Sequence, residues 1–313
     1  MNNKIKKLIC SISTITLLAI GCSFANAQSE KIQEKLSQTQ QDVTKLLNIK
    51  DDTSISEEKK ISLEIELKKK IISDVINISL DQIANAQSQL DDLKIPDSQE
   101  WKSVRDYFQK IIDQTRDYYE DRRKEFDNKE TWTLDDVKVF AKAMEEKRSL
   151  EIDKNLKRIN SLILTVNVSQ ILNLADERLS KISSDVDRIY TKKLTKNPTL
   201  KTMLEGAAAN VKKSHDLNDE AYQVVLNLYT EDKSTSTQDF ILNLKKKIVD
   251  IKEFEALIDS KTKTEPIKID SSLITNEDLD GYLISLTSQT YNQIKSAYET
   301  FVKMSVNVKS YLK

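Results

Sequence analysis

Residues that break helices are scarce in this chain. Among its 313 residues only three are glycine and three are proline. They are Gly21, Gly206, Gly281, Pro96, Pro198 and Pro266. A β-rich fold of this length needs many tight turns, and tight turns use Gly, Pro, Asn and Asp. The shortage therefore predicts an all-α fold built from a few long helices.

Apolar residues recur at alternating spacings of three and four along four segments of the chain. This spacing is typical of the seam between helices that pack side by side. The four predicted seams are Trp101-Val104-Phe108-Ile111-Thr115-Tyr118, Val168-Leu172-Ala175-Leu179-Ile182-Val186-Ile189, Leu200-Leu204-Ala207-Val211-Ser214-Asn218-Ala221-Val225-Leu228 and Leu279-Leu283-Leu286-Thr290-Ile294-Ala297-Phe301-Met304-Val308-Tyr311. We expect long antiparallel helices that form coiled-coil hairpins or an elongated helical bundle.

Helix starts are marked by a capping residue followed three positions later by an acid. The cap oxygen accepts a free backbone N–H, and the acid lies near the positive end of the helix dipole. The predicted cap–acid pairs are Ser54/Glu57, Asp97/Glu100, Thr133/Asp136, Ser236/Asp239 and Thr275/Asp278, with a further start at Asn197-Pro198. Between Thr133 and Asn197 the apolar pattern slips in phase at 165–168, which leaves open whether this stretch is one helix or two.

The first 27 residues have the pattern of an export signal. Three lysines precede an apolar run that is too short to span a bilayer. Small and aliphatic residues then lead to Cys22, as in a lipoprotein signal of residues 1–21. Acylation of Cys22 would anchor the chain to a membrane. The alternative is cleavage after Ala27, which would make residues 1–27 the signal and release a soluble protein.

The remaining chain divides by composition into a tether and a helical part. Residues 22–53 are rich in Gln, Ser and Lys, and we expect a polar tether containing a short helix. Residues 54–313 are expected to form one helical coiled-coil domain. After removal of residues 1–21 the chain has 46 basic and 50 acidic residues, so its overall charge does not itself favour a nucleic-acid partner.

The sequence contains no recognisable catalytic or cofactor-binding motif. Phosphate-binding loops, dinucleotide-binding glycines and metalloprotease or hydrolase signatures are all absent from it. His215 is the only histidine, and we expect it on the surface or at the edge of a seam. The prediction is a non-enzymatic protein without a metal site or a cofactor.

Basic clusters are the most distinctive polar feature. They are Lys68-Lys69-Lys70, Arg122-Arg123-Lys124, Lys192-Lys193 with Lys196 and Lys201, and Lys245-Lys246-Lys247. The cluster from Lys192 to Lys201 falls at a predicted helix–helix corner, and its nearest acids are Asp187 and Glu205. Lysines grouped in this way bind phosphates without reading sequence, although such clusters are more often solvated faces of charged helices.

Small residues form a run at Gly206-Ala207-Ala208-Ala209. Such a run lets another helix approach closely. The second helix is expected to come from the same chain, with a homodimer as the alternative.

The whole sequence resembles plasmid-borne surface lipoproteins of Lyme-type spirochaetes (Borrelia). The resemblance lies in the Lys/Asn/Ile-rich signal, the residues before Cys22, the polar tether and the nearly glycine-free helical body. It extends to two helical groups. One is paralogous family 12, whose coiled-coil members bind DNA without sequence preference, and the other is the complement-regulator-acquiring surface proteins. The long segments without breakers favour the first group.

Three hypotheses for function follow. The first is an outer-membrane, lipid-anchored protein, surface-exposed or periplasmic, that binds duplex DNA through basic helix faces. Its candidate residues are Lys192, Lys193, Lys196, Lys201, Lys245, Lys246 and Lys247. The second is a surface lipoprotein that binds a host protein, either a complement regulator or a matrix component. The third is a purely structural envelope protein.

Overall fold

A computed structural model of the protein describes residues 26–51, 54–196, 198–230, 234–259 and 270–312. Within these ranges every regular element is helical and no strand occurs, which confirms the all-α prediction. The α-helices, labelled here in chain order, are α1 Asn26–Asp51, α2 Glu57–Asp92, α3 Gln99–Asn128, α4 Leu134–Lys147, α5 Asp153–Thr191, α6 Thr199–Leu228, α7 Thr235–Asp259 and α8 Asn276–Leu312. Short π and 3-10 segments lie at Arg148–Ile152 and Ser271–Leu273.

The chain divides into two compact units rather than the single domain predicted for 54–313. In the described part, unit 1 comprises residues 26–92 and 108–160, and unit 2 comprises residues 93–107 together with those from 161 onward. Two of the three crossings between the units pass through α3 and α5, where there is neither a glycine nor a proline, and the third follows α2 in the connection that contains Pro96. Composition therefore gave no sign of the two crossings inside helices.

Residues 26–51 are a continuous helix, and the prediction of a polar tether is wrong for this part of the chain. Four apolar side chains of α1 are buried against α2. They are Ile32, Leu36, Val43 and Leu46, and they share a core cluster with Ile71 and Ile78. A few apolar positions are enough to pack α1 in place, because this helix buries only one narrow stripe against a single neighbouring helix, α2. Cys22 lies outside the described residues.

In the rest of unit 1, α2 and α3 run antiparallel. Gln87 exchanges side-chain hydrogen bonds with Gln109 at 2.7 and 2.8 Å. Arg123, further along α3, donates to Asn77, which comes earlier on α2. As the residue number rises on α3 it falls on α2, which is the antiparallel arrangement.

Unit 2 is organised around α5, α6 and α8. Asp176 and Tyr190 of α5 meet His215 and Lys201 of α6 respectively, so these two helices form an antiparallel hairpin. On the other side, Thr165 of α5 hydrogen-bonds Thr287 of α8 at 3.1 Å. The hairpin is the one predicted from the seam pattern.

The predicted seams of unit 2 form its core. On α8, every predicted seam position from Leu279 to Val308 is buried, and Phe301 and Met304 are fully enclosed. Polar members of the seams are buried as well, and Ser214 and Thr290 satisfy their hydroxyls on the backbone carbonyl four residues earlier, at 2.8 Å. Tyr311 lies outside the residues whose side chains are described.

The segment from Leu134 to Thr191 is helical throughout. The slip in the apolar pattern predicts an irregularity at 165–168, but the structure has its irregularity elsewhere. A π turn at Arg148–Ile152 interrupts the α-helix, and the flanking Lys147 and Asp153 both keep α-helical dihedrals. At 165–168, α5 continues without interruption. Leu162, Val166 and Val168 are all buried there, and a helix buried on several sides shows no single stripe.

Two of the predicted capping pairs form as expected. Thr133 Oγ1 accepts from the Asp136 N–H at 3.2 Å, and the Asp136 carboxylate accepts from the Thr133 N–H at 2.9 Å. Hydrogen bonds from Lys129 and from Thr133 hold the pKa of Asp136 well below its usual range. Thr275 and Asp278 make the same reciprocal bonds, at 3.3 and 2.8 Å.

The other helix starts are displaced from the predicted residues. The caps are Ser98 instead of Asp97, and Ser234 instead of Ser236, because their hydroxyls accept the Trp101 and Thr237 N–H groups. α2 begins at Glu57, later than a cap at Ser54 implies. Pro198 lies one position before α6, which begins at Thr199 rather than at the proline, while Asn197 lies outside the described residues.

Candidate nucleic-acid interface

The corner between α5 and α6 is closed by a well-defined helix C-terminus. The Leu194 N–H bonds the Ile189 carbonyl and the Lys193 N–H bonds the Tyr190 carbonyl, both at 3.0 Å. Lys193 has a left-handed backbone with a φ of 53°. This is the Schellman arrangement, in which that position is usually glycine. A lysine there costs about 1 kcal/mol of steric strain, so the chain keeps a cation where glycine would be more stable.

The four predicted lysines of this corner are all exposed. Lys192 and Lys193 lie in the turn that follows α5, Lys196 lies in the connection, and Lys201 lies in the first turn of α6. Lys201 Nζ is 4.7 Å from the ring centroid of Tyr190, a cation–π contact that leaves its charge uncompensated. Among the described residues, none of these four lysines has an ion-pair partner.

Along the sequence, no acid lies between Asp187 and Glu205. Arg188, in the last turn of α5, is also exposed. We name this set the basic corner: Arg188, Lys192, Lys193, Lys196 and Lys201. Its five positive charges extend from the end of α5 through the connection to the start of α6, and exposed charges within about a Debye length of one another act together.

A further cation near the basic corner was not predicted. Val308 of α8 belongs to the same buried cluster as Ile189 of α5 and Leu200 of α6, the residues that flank the corner. The next residue, Lys309, is exposed. Its proximity depends on how α8 packs, so no local sequence signal could reveal it.

The Lys245-Lys246-Lys247 cluster does not join the basic corner. Lys247 Nζ lies 2.5 Å from the Glu220 carboxylate and over the ring of Tyr282. Burial opposes its charge, but the hydrogen bonds to Glu220 and Tyr282 outweigh burial and raise the pKa of Lys247. Glu220 is about 28 Å along α6 from Lys201. Lys246 is exposed and Lys245 half-buried, so only these two remain available as a separate contact.

The basic clusters of unit 1 are engaged in contacts within the protein. Lys68 pairs with Glu64 at 2.6 Å, Lys70 with Asp42 at 2.5 Å, Arg122 with Glu125 at 2.7 Å and Lys124 with Asp121 at 3.2 Å. Lys69 lies over the Trp132 ring, and Arg123 donates to Asn77. The basic corner is therefore the one predicted cluster with no ion-paired member, within the part of the chain that is described.

The described ranges contain one histidine and no metal-binding group of side chains. His215 lies at the edge of the α5–α6 seam, where its Nε2 is 2.9 Å from Asp176 Oδ2 and both side chains are about two-fifths exposed. No group of three or more His, Cys, Asp or Glu residues is arranged to hold a metal ion in these ranges. No helix among the described residues is both long and apolar enough to cross a membrane.

The small-residue run has an intramolecular role. Ala207 is fully buried in the cluster that joins α5, α6 and α8, as the intramolecular alternative predicts. Gly206 is exposed, and a Cβ added to it would meet no atom within 4 Å.

Comparisons with known proteins do not identify the chain. No family model, no curated protein and no solved structure matches it. The similarity to spirochaetal lipoproteins therefore stays a prediction.

Proposed function

We propose that this protein is non-enzymatic and binds the phosphate backbone of duplex DNA without reading base sequence, through the basic corner. The observation that carries the proposal is the exposed, acid-free set of Arg188, Lys192, Lys193, Lys196 and Lys201. All other predicted basic clusters contain ion-paired members, so among the described residues this is the predicted cluster whose charges are left without acidic partners. Lysine at the strained 193 position supports the proposal, because local strain is often retained where function requires a particular side chain.

Contacts of this kind explain affinity without specificity. Lysine and arginine neutralise phosphates and release condensed counterions, whichever bases are present. Among the described residues, the aromatic ring in contact with a lysine of the corner is Tyr190. This ring is half-buried and already lies beneath Lys201, which favours duplex backbone over stacked single strands. Lys309 and, as a second contact, Lys245 and Lys246 would add to the same electrostatic attraction.

The proposal extends to the location of the protein. Export and acylation of Cys22 would place the helical body at the outer membrane, at the surface or in the periplasm. This part rests on the N-terminal sequence alone, and mass spectrometry of the mature N-terminus would distinguish a lipidated Cys22 from a new end after Ala27.

The test is a salt titration of binding to two unrelated duplexes of equal length. The full chain is used with Cys22→Ala, so that acylation does not cause association. We expect equal affinities, with log K falling linearly against log salt at a slope of about −4 to −5 for five phosphates. Absence of binding at low salt would contradict the proposal and make a host-protein ligand or a structural role the leading hypothesis.

Charge-reversal variants locate the contact. Changing Lys192, Lys193, Lys196 and Lys201 to Glu should weaken binding on the order of 100-fold for both duplexes. The matched control changes Lys59, Lys124, Lys138 and Lys142 to Glu, four exposed lysines of unit 1, and alters net charge equally. Equal losses in the two variants would assign the binding to net charge and remove the basic corner from the account.

A further inference from the structure

Helix α8 has a second face that the described residues leave largely exposed. Ile284, Tyr291, Val302 and Val306 are 45%, 53%, 58% and 65% exposed. At 100° per residue, the first three lie within about 20° of one line along the helix, roughly 120° from the centre of its buried seam. We name these four residues the outer stripe. An apolar line of this length, about 33 Å, is typical of a helix that packs against another helix.

We propose that the outer stripe of α8 pairs with the outer stripe of a second copy of this chain, in antiparallel orientation, to form a homodimer. The inference concerns unit 2 alone and does not depend on DNA binding. It rests on the self-complementary spacing and charge of the stripe.

The spacing fits a two-fold axis. Ile284 and Val302 are 18 residues apart, which is about five full turns, so both point the same way. A two-fold axis level with residue 293 places Ile284 opposite Val302 of the second copy, and Val302 opposite Ile284. The contact is the same on both subunits, as a two-fold dimer requires.

The charges select the antiparallel orientation. Lys295 is exposed on the same face and, with the axis at 293, lies opposite Tyr291 of the second copy, where a lysine over an aromatic ring is stabilising. The symmetry makes this contact twice. A parallel pairing would instead place Lys295 against its own equivalent.

The neighbouring helix widens the apolar surface. Leu174 of α5 is 56% exposed and lies one turn after Ile171, which packs against the same buried cluster as Tyr298 of α8. Burial of Leu174 together with the outer stripe gives the dimer a contact wider than a single helix.

Sedimentation velocity on the full chain with Cys22→Ala, without DNA, tests the dimer. We expect the average mass to rise from 36.0 kDa toward twice that value as concentration increases from about 1 to 200 μM, the range expected of a modest interface. Val302→Glu should weaken the association at least 30-fold. Val139→Glu, at a position 69% exposed on α4, is the matched control and should leave the association unchanged.

Cross-linking then tests the orientation. In a background of Cys10→Ala and Cys22→Ala, chains carrying Ile284→Cys and chains carrying Val302→Cys are treated with a short bis-maleimide, separately and mixed. Antiparallel pairing predicts cross-links only in the mixture, because the two equivalent positions 302 lie about 27 Å apart along the paired helices. A chain that stays monomeric, a Val302→Glu dimer of unchanged affinity, or cross-links within a single variant would each overturn the proposal.

Discussion

The core of unit 2 joins α5, α6 and α8 through apolar residues and neutral hydroxyls, whereas in unit 1 charged side chains enter the buried contacts between helices. Thr165 and Thr287 pair across the core of unit 2 without any charge. The ion pair of Lys247 with Glu220, which joins α7 to α6 in the same unit, is partly exposed. In unit 1, Lys70 bonds the buried Asp42, and the buried Arg148 bonds Ser79, each across two elements. These two cations of unit 1 are therefore already engaged inside the protein.

The comparison shows how lysine clusters that look alike in sequence come to differ. Lys68-Lys69-Lys70 and the basic corner have similar local spacing and charge. The two clusters differ in whether a neighbouring helix supplies an acidic side chain or an aromatic ring that contacts the lysines. Asp42 of α1 does so for Lys70, and no described residue does so for Lys192 or Lys193.

The largest expected effect tests the apolar core of unit 2. Phe301 is fully buried, so Phe301→Ala should lower the free energy of unfolding of unit 2 by about 3–5 kcal/mol through lost burial and a cavity. Val302→Ala, at the next and exposed position, should change it by less than about 0.5 kcal/mol. Urea unfolding followed by circular dichroism measures both, and equal effects would contradict the assignment of the seam.

The next largest expected effect on the free energy of unfolding tests the buried contact between Arg148 and Asp153 in unit 1. The Arg148 side chain is 5% exposed and lies 3.0 Å from Asp153, with a second bond of 3.0 Å to Ser79. Arg148→Ala should cost about 3 kcal/mol because it leaves Asp153 without its partner in a largely buried site. The double variant Arg148→Ala with Asp153→Asn should recover part of that loss in the same unfolding assay. No recovery would mean that the arginine acts by packing alone.

A smaller, pH-dependent effect tests the α1–α2 contact. Hydrogen bonds from Lys70 and Lys45 lower the pKa of Asp42 below its ordinary 3.8. A lowered pKa in the folded state adds stability at neutral pH, and that stability is lost as pH falls below about 4. Asp42→Asn should therefore cost about 1–2 kcal/mol at pH 7, because both lysines remain near water, and nearly nothing at pH 2.

Asp74 serves as the opposite-sign control for that experiment. Burial raises its pKa above 3.8 despite the nearby Lys70, so its contribution to stability is present in acid and is lost as pH rises through the raised pKa. Asp74→Asn should stabilise unit 1 at pH 7 by roughly 0.5 kcal/mol and have no effect at pH 3. A loss of stability at pH 7 would show that its charge is needed there.

A comparably small effect on stability separates stability from function at the basic corner. Lys193→Gly should raise the free energy of unfolding of unit 2 by up to about 1 kcal/mol, since it removes the left-handed strain. The same change should reduce DNA affinity by removing one phosphate contact, with the salt slope falling by about 0.9. Lys192→Gly is the matched control, because it removes a charge without relieving a left-handed residue.

Sequence predicted the elements of unit 2 better than those of unit 1. Repeats of three and four identified even the buried polar positions Ser214 and Asn218, because a regular seam is a local property of one helix. The caps at Ser98 and Ser234 were displaced because the nearby Asp97/Glu100 and Ser236/Asp239 pairs match the same pattern. Where several short polar residues adjoin, spacing alone does not choose among them.

Features that depend on long-range packing could not be predicted from the local pattern of the sequence. The burial of α1, the ion pair between Asp42 and Lys70, and the position of Lys309 each depend on which helix lies alongside. The π turn at Arg148–Ile152 likewise serves to bring Arg148 to Ser79, 69 residues earlier. The lysines of the basic corner could be selected as candidates from sequence, but only the packing distinguished them from the clusters of unit 1.

The most direct test of the central claim is a lysine-reactivity footprint of the full chain carrying Cys22→Ala, acetylated with and without duplex DNA and read by mass spectrometry. The account predicts that Lys192, Lys193, Lys196 and Lys201 become several-fold less reactive when DNA is bound, whereas Lys59, Lys138 and Lys142 of unit 1 do not change. Uniform protection of all lysines, or protection confined to unit 1, would contradict the assignment of the basic corner as the DNA contact.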